Sequence, residues 1–147
     1  MPTRSELEAA YRATTYQVFL PAGRLDLRIG IADPALAAWL QQEDVASWAL
    51  LTACNPGAAR LSDSENNERQ SALEVALLER GFEPYAGEHI ADAADWPAEQ
   101  SCLVPHISLA EALGFARQFQ QNAILHGVAD GVPQLVWVTS DQGGQEE

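Results

Sequence analysis

The chain has 147 residues, 47% hydrophobic and 20% charged, which suits one globular domain whose core needs no metal or disulfide to hold it. Its 21 acidic residues stand against eight arginines and no lysine, for a net charge of −13. That balance excludes binding to nucleic-acid backbones or anionic membranes through a basic face, and leaves solubility or the docking of a basic protein partner as uses of the acidity.

Thr3 and Glu6 form a capping box, which predicts a helix over 4–12. β-Branched and aromatic residues over 14–20 lead to the turn Pro21-Ala22-Gly23. Leu25, Leu27 and Ile29 then alternate with charged residues, so the two segments read as a hairpin. Asp33-Pro34 opens a helix to about residue 41. The run 47–53 is apolar on both faces, as in a central strand, and ends at Asn55-Pro56-Gly57, a turn in which glycine accepts positive φ. A second capping box, Ser62 with Glu65, begins a helix to about residue 80, and Gly81 supplies its C-terminal cap.

Residues 82–88 read as a strand, 89–100 as the longest irregular segment and 101–106 as a strand. Ser108 with Glu111, a third capping box, opens a helix to about residue 119. Strands over 122–127 and 134–138 flank Asp130-Gly131, a hairpin signal. Residues 139–147 are polar and expected to form a disordered tail, which leaves 1–138 as a single domain. Strand, helix, strand occurs twice in the second half. The predicted fold is therefore α+β (mixed α/β), with two split β-α-β units forming one mixed sheet, helices mainly on one face, and an N-terminal helix and hairpin before them.

The start, from Met1 to Glu6, lacks the apolar core of a signal peptide, and no stretch approaches the ~20 apolar residues of a membrane span. Cys54 and Cys102 lie in apparent strands and read as reduced, buried thiols of a cytoplasmic protein; a disulfide stays open if their strands adjoin. No spacing indicates a metal site.

Eight polar residues stand where core residues would be expected: Thr52, Asn55, Asn66, Arg69, Glu99, Ser101, Gln121 and Asn122. Leu73 and Leu77 mark an apolar stripe, and counting back two helical turns from Leu73 puts Asn66 on the core-facing side, near Thr52 and Asn55. A buried asparagine must find partners for its donors and acceptors. One reading makes this seam a cleft for a small polar metabolite or nucleotide, with neutral hydrogen bonds from the amides and Arg69 as a fork for a carboxylate or phosphate. Asp63 and Glu65 in the helix's first turn count against phosphate. The other reading has Asn55 and Asn66 brace the loop by capping backbone groups.

Gln121-Asn122 precedes an apolar strand run, so alternation turns one of the pair inward, with a C-terminal helix cap by asparagine as the structural alternative; Glu99 and Ser101 are similarly placed before Cys102-Leu103-Val104, with the same two readings. Glu99 with Asp95 is also a candidate acid/base pair. His106 and His126 end strands singly, and Ser101 has no nucleophile-elbow setting. Trp39, Trp48 and Trp137 read as core, whereas Trp96 either packs beneath the irregular loop or lines a pocket.

The order Ala10-Tyr11-Arg12-x-Thr14-x-Tyr16, Leu51-Thr52-Ala53-x-Asn55-Pro56, Asn66 with Arg69, Trp96-Pro97-x-Glu99-x-Ser101 and Phe119-x-Gln121-Asn122-Ala123 resembles a small bacterial family of uncharacterised proteins over nearly the whole chain. The resemblance imports no activity and leaves any cofactor unknown, but its motifs fall on the same polar positions and so favour a shared site. Two functions follow from the sequence: a domain that binds a small polar molecule, enzyme or not, and a non-enzymatic acidic domain that docks a basic protein.

Overall fold

In the computed structural model, which describes residues 3–93 and 96–138, each helix begins where the sequence offers a side-chain cap. α1 (Arg4–Arg12) opens on the reciprocal Thr3/Glu6 box, and α2 (Pro34–Gln42) on the Asp33 carboxylate with proline in its first turn. α3 (Asp63–Glu79) and α4 (Leu109–Gln118) open on the Ser62/Glu65 and Ser108/Glu111 boxes. α3 ends in a Schellman motif. Gly81, at φ +89°, donates to the Leu78 carbonyl at 3.0 Å, and Phe82 donates to the Leu77 carbonyl at 3.0 Å.

Seven strands complete the chain: β1 (Thr14–Leu20), β2 (Gly23–Leu27), β3 (Ser47–Leu51), β4 (Tyr85–Ala91), β5 (Glu99–Pro105), β6 (Ala123–Val128) and β7 (Gln134–Trp137). They form one sheet in the order β2-β1-β4-β5-β3-β6-β7. β3-α3-β4 has β5 between its strands, and β5-α4-β6 has β3 between its strands. The two predicted split units thus interlock, in the ferredoxin-like β-α-β-β-α-β arrangement. Every neighbouring pair is antiparallel, so the strands of the expected mixed sheet run parallel only one position apart.

Alternation along the central strands divides the core in two. Ala49, Leu51, Cys102, Val104 and Ile124 meet Leu73 and Leu77 of α3 and Ala112 and Phe115 of α4. Trp48, Leu50, Leu103 and Leu125 face the other way, with Tyr16, Val18 and, from α2, Leu36 and Leu40. The helices of the split units share one face, as expected. α2 lies on the other, where Tyr11 of α1 also packs, although α1 itself buries no residue completely.

β4 departs from the sequence reading. It starts at Tyr85 rather than at residue 82 and runs to Ala91, because Phe82 is the apolar anchor of the α3 cap and packs edge-on to Phe115, with ring centroids 6.1 Å apart. His89 therefore sits in a strand and not in the irregular segment. The expected tail at 139–147 and the candidate acid Asp95 lie outside the described residues. Among the described residues, no helix is long and apolar enough to cross a membrane.

Candidate functional site

β3 stops at Leu51 because side chains capture the backbone beyond it. Thr52 Oγ1 donates to the Gln100 carbonyl at 2.7 Å and accepts the Cys54 N–H at 3.1 Å. Asn55 then takes a left-handed conformation, φ 48° and ψ 65°, which asparagine tolerates better than most residues. Its N–H donates to Asn66 Oδ1 at 2.9 Å, and its own Oδ1 accepts from Leu61 N–H at 2.8 Å and Asn66 Nδ2 at 3.0 Å. One group remains, Asn55 Nδ2, and it donates to Glu99 Oε2 at 2.6 Å. The turn's hydrogen bonds thus hold Asn55 in place, and Asn55 holds the carboxylate.

Arg69 and Gln70 tie the same turn to its neighbours. Arg69 Nε donates to the Ala53 carbonyl at 2.7 Å, and its Nη2 to the Phe119 carbonyl and to Gln120 Oε1. Gln70, buried, accepts the Ala53 N–H at 3.0 Å. Gln120, at φ 56°, fills the left-handed position after α4, so the cap is made there and not by Asn122, and the Gln121 N–H closes on the Ala116 carbonyl at 2.9 Å. Gln121 Nε2 reaches the Cys54 carbonyl at 3.1 Å.

A cavity of about 560 Å³ opens on the α1 side of the sheet. Thr52, Asn55, Glu99, Gln121 and Asn122 line it, and Asn66, Arg69 and Ser101 do not. Asn66 and Arg69 stand behind the wall, bonded to the turn. Ser101 is buried opposite Gly87 on β4, and its Oγ has no partner among the described residues.

Three residues that sequence reasoning left out of the site complete the wall: Tyr11, Tyr16 and His89. Tyr16, His89 and Glu99 stand directly opposite one another on β1, β4 and β5, forming a row across the sheet. The Tyr16 and His89 rings meet edge to face, 4.6 Å between centroids, and the Tyr16 hydroxyl donates to the Tyr11 carbonyl at 2.8 Å. His89 Nε2 is shut off from solvent and has no hydrogen-bond partner among the described residues. Burial pushes its pKa down to about 4, so the imidazole is neutral at pH 7. Burial likewise raises the Glu99 carboxyl above its ordinary value, against hydrogen bonds from Asn55 and Trp96.

Trp96 lines the cavity rather than only packing beneath its loop; it is 41% exposed, and the Arg60 guanidinium lies 5.3 Å from its ring. Trp48 is core, as expected. Leu51 of β3 faces Cys102 of β5, so the cysteines lie near adjoining strands, yet both thiols are free. Cys102 points into the α3/α4 core and Cys54 into the cavity on the opposite side. Burial raises both thiols above their ordinary pKa, which keeps them protonated and unreactive. His126 Nε2 rests 3.3 Å from the Ile107 carbonyl, His106 is exposed, and no group of three or more metal-binding side chains occurs among the described residues.

Fold and site together define an α+β domain of split β-α-β topology, with a cavity whose polar wall is built from strand ends and the turns beside them. Residues 51–124, half of the chain, match the family described as "Protein of unknown function (DUF3293)", and the chain belongs to that family. The matched segment carries Thr52, Asn55, His89, Glu99, Gln121 and Asn122, while Tyr11 and Tyr16 come from outside it. No curated protein and no solved structure matches the chain.

Proposed function

We propose that this domain binds a small molecule in the cavity beneath α1, with Glu99 and Gln121 as its polar contacts. The observation that carries this reading is the cavity itself, about 560 Å³ in volume, with the Glu99 carboxylate and the Gln121 amide in a wall that is otherwise largely apolar. Gln121 supports it too: its amide nitrogen is engaged with the Cys54 and Phe119 carbonyls, so its oxygen is left to accept from a ligand. Thr52, Asn55, Asn66 and Arg69 have their hydrogen bonds engaged within the chain, and their role is to position the wall.

Much of the lining is aliphatic or aromatic, Leu7, Leu50, Leu125 and Leu135 among it, so the ligand has an apolar body with few polar groups. A nucleotide's phosphates would meet no arginine or lysine among the lining residues, so a nucleotide suits the site poorly. Two free, buried thiols support a reducing compartment such as the cytoplasm.

A thermal-shift screen of a metabolite library, run beside Ala123→Phe, tests the reading. Ala123 lines the cavity, so phenylalanine there fills it. Hits should stabilise the native protein and fail with the filled variant. Equal stabilisation of both proteins would place binding elsewhere and overturn the proposal.

A further inference from the structure

The cavity wall is rich in hydrogen-bond acceptors and has no fixed positive charge. Glu99 lies within it and Glu6 at its α1 side, while no arginine is among the lining residues. Arg69 is turned away onto the Ala53 and Phe119 carbonyls and Gln120, and the Arg60 guanidinium lies 5.3 Å from the Trp96 ring and in no ion pair with Glu99. None of the three ion pairs among the described residues includes Glu99. Its side-chain partner at 2.6 Å is the neutral amide of Asn55, itself held by Asn66 and Leu61. A largely buried carboxylate supported only by neutral donors is poorly compensated for the water it has lost. Tyr11 lines the same space, and so does Trp96, whose ring already lies 5.3 Å from the Arg60 guanidinium; aromatic faces attract cations.

From this arrangement we infer that the cavity selects a small organic cation, a protonated amine or amidinium on a flat apolar body, with the charge on Glu99 and the body against the aromatic wall. The inference rests on the cavity-binding reading above and specifies its ligand class. His89 remains neutral in this scheme, so it does not repel the ligand, and the Gln121 oxygen is available to the ligand's further polar groups.

Three probes with one ring system separate the possibilities: tryptamine, tryptophol and indole-3-acetate, which differ in a cationic, neutral or anionic end. Titrations at pH 7 would be followed by calorimetry and by amide chemical shifts of the wild-type protein. Tryptamine should bind at least tenfold more tightly than tryptophol, indole-3-acetate should bind weakest, and the shifts should gather at Tyr11, His89, Glu99 and Gln121. In Glu99→Gln, which can keep the Asn55 hydrogen bond, tryptamine should lose its advantage while tryptophol still binds. The wild-type ranking decides the matter even if that variant does not fold. Equal binding of all three, or a preference for the anion, overturns the cation inference and leaves cavity binding intact. Shifts away from the cavity, or no binding by any probe at millimolar concentration, overturn both.

Discussion

Asn66→Ala isolates the hinge of the turn on which the site depends. Alanine leaves the Asn55 N–H without its acceptor at 2.9 Å, in a residue that is 6% exposed. Stranding a buried donor costs about 1–3 kcal/mol. The Asn66 Nδ2 bond to Asn55 Oδ1 at 3.0 Å is also lost, for about 1 kcal/mol, although Leu61 N–H still donates to that oxygen. Alanine's higher helix propensity returns roughly 0.5 kcal/mol within α3. The expected net loss is about 2.5 kcal/mol, or about 8 °C in melting temperature for a domain of this size. Asn67→Ala is the control, since Asn67 is the exposed neighbour on the same helix and should be neutral or slightly stabilising. Urea unfolding followed by tryptophan fluorescence, with calorimetry beside it, measures both variants. If Asn66→Ala and Asn67→Ala agree within 0.5 kcal/mol, a figure on the scale of ordinary surface substitutions, the bracing role is refuted.

His89 should titrate by NMR with a midpoint near 4 instead of its ordinary 6.5, and stability should fall as pH drops from 6.5 toward 4, because the unfolded chain binds that proton first. The raised Glu99 carboxyl acts in the opposite sense, adding stability below its ordinary 4.5 that is lost as pH rises through its folded value, so the two are best separated in a Glu99→Gln background, and a His89 midpoint near 6.5 there would show the ring to be solvated. Gly127→Ala should cost about 3 kcal/mol, at the upper end for overpacking, since a Cβ there would lie 2.4 Å from Trp48 Cζ2, and that ring is fully buried with its Nε1 bonded to the Val128 carbonyl at 2.9 Å. Calorimetry within 1 kcal/mol of wild type would mean that the ring can yield.

Features fixed by a few adjacent residues were legible in the sequence. The three capping boxes, the Asp33-Pro34 start and the Gly81 stop depend on side chains reaching their own backbone, and each stands where the spacing puts it. The two split units followed from element order alone, and Asn66 meets the end of the preceding strand as its helical phase requires. β4 was not legible at its true position. Its inward residues are Tyr85, Gly87, His89 and Ala91, a small and polar set without a β-branched run, while Phe82 just upstream offers a stronger apolar signal for another purpose. Shifting that strand hid His89, and with it the row that Tyr16 and Glu99 complete. Arg69 suggests a ligand clamp because its carbonyl partners belong to the backbone of distant segments, and no pattern of residue types reveals those.

The strand order also governs how the chain can assemble during synthesis. β3 is an interior strand of the sheet, yet its neighbours are residues 102–105 and 125–128, which emerge from the ribosome much later. Until they do, Trp48, Ala49, Leu50 and Leu51 form an apolar strand with both edges open, while the β1–β2 hairpin upstream can close on local contacts alone. The segment that anchors the polar wall is therefore the one most exposed to self-association in a nascent or truncated chain, and it is sheltered only when β6 arrives.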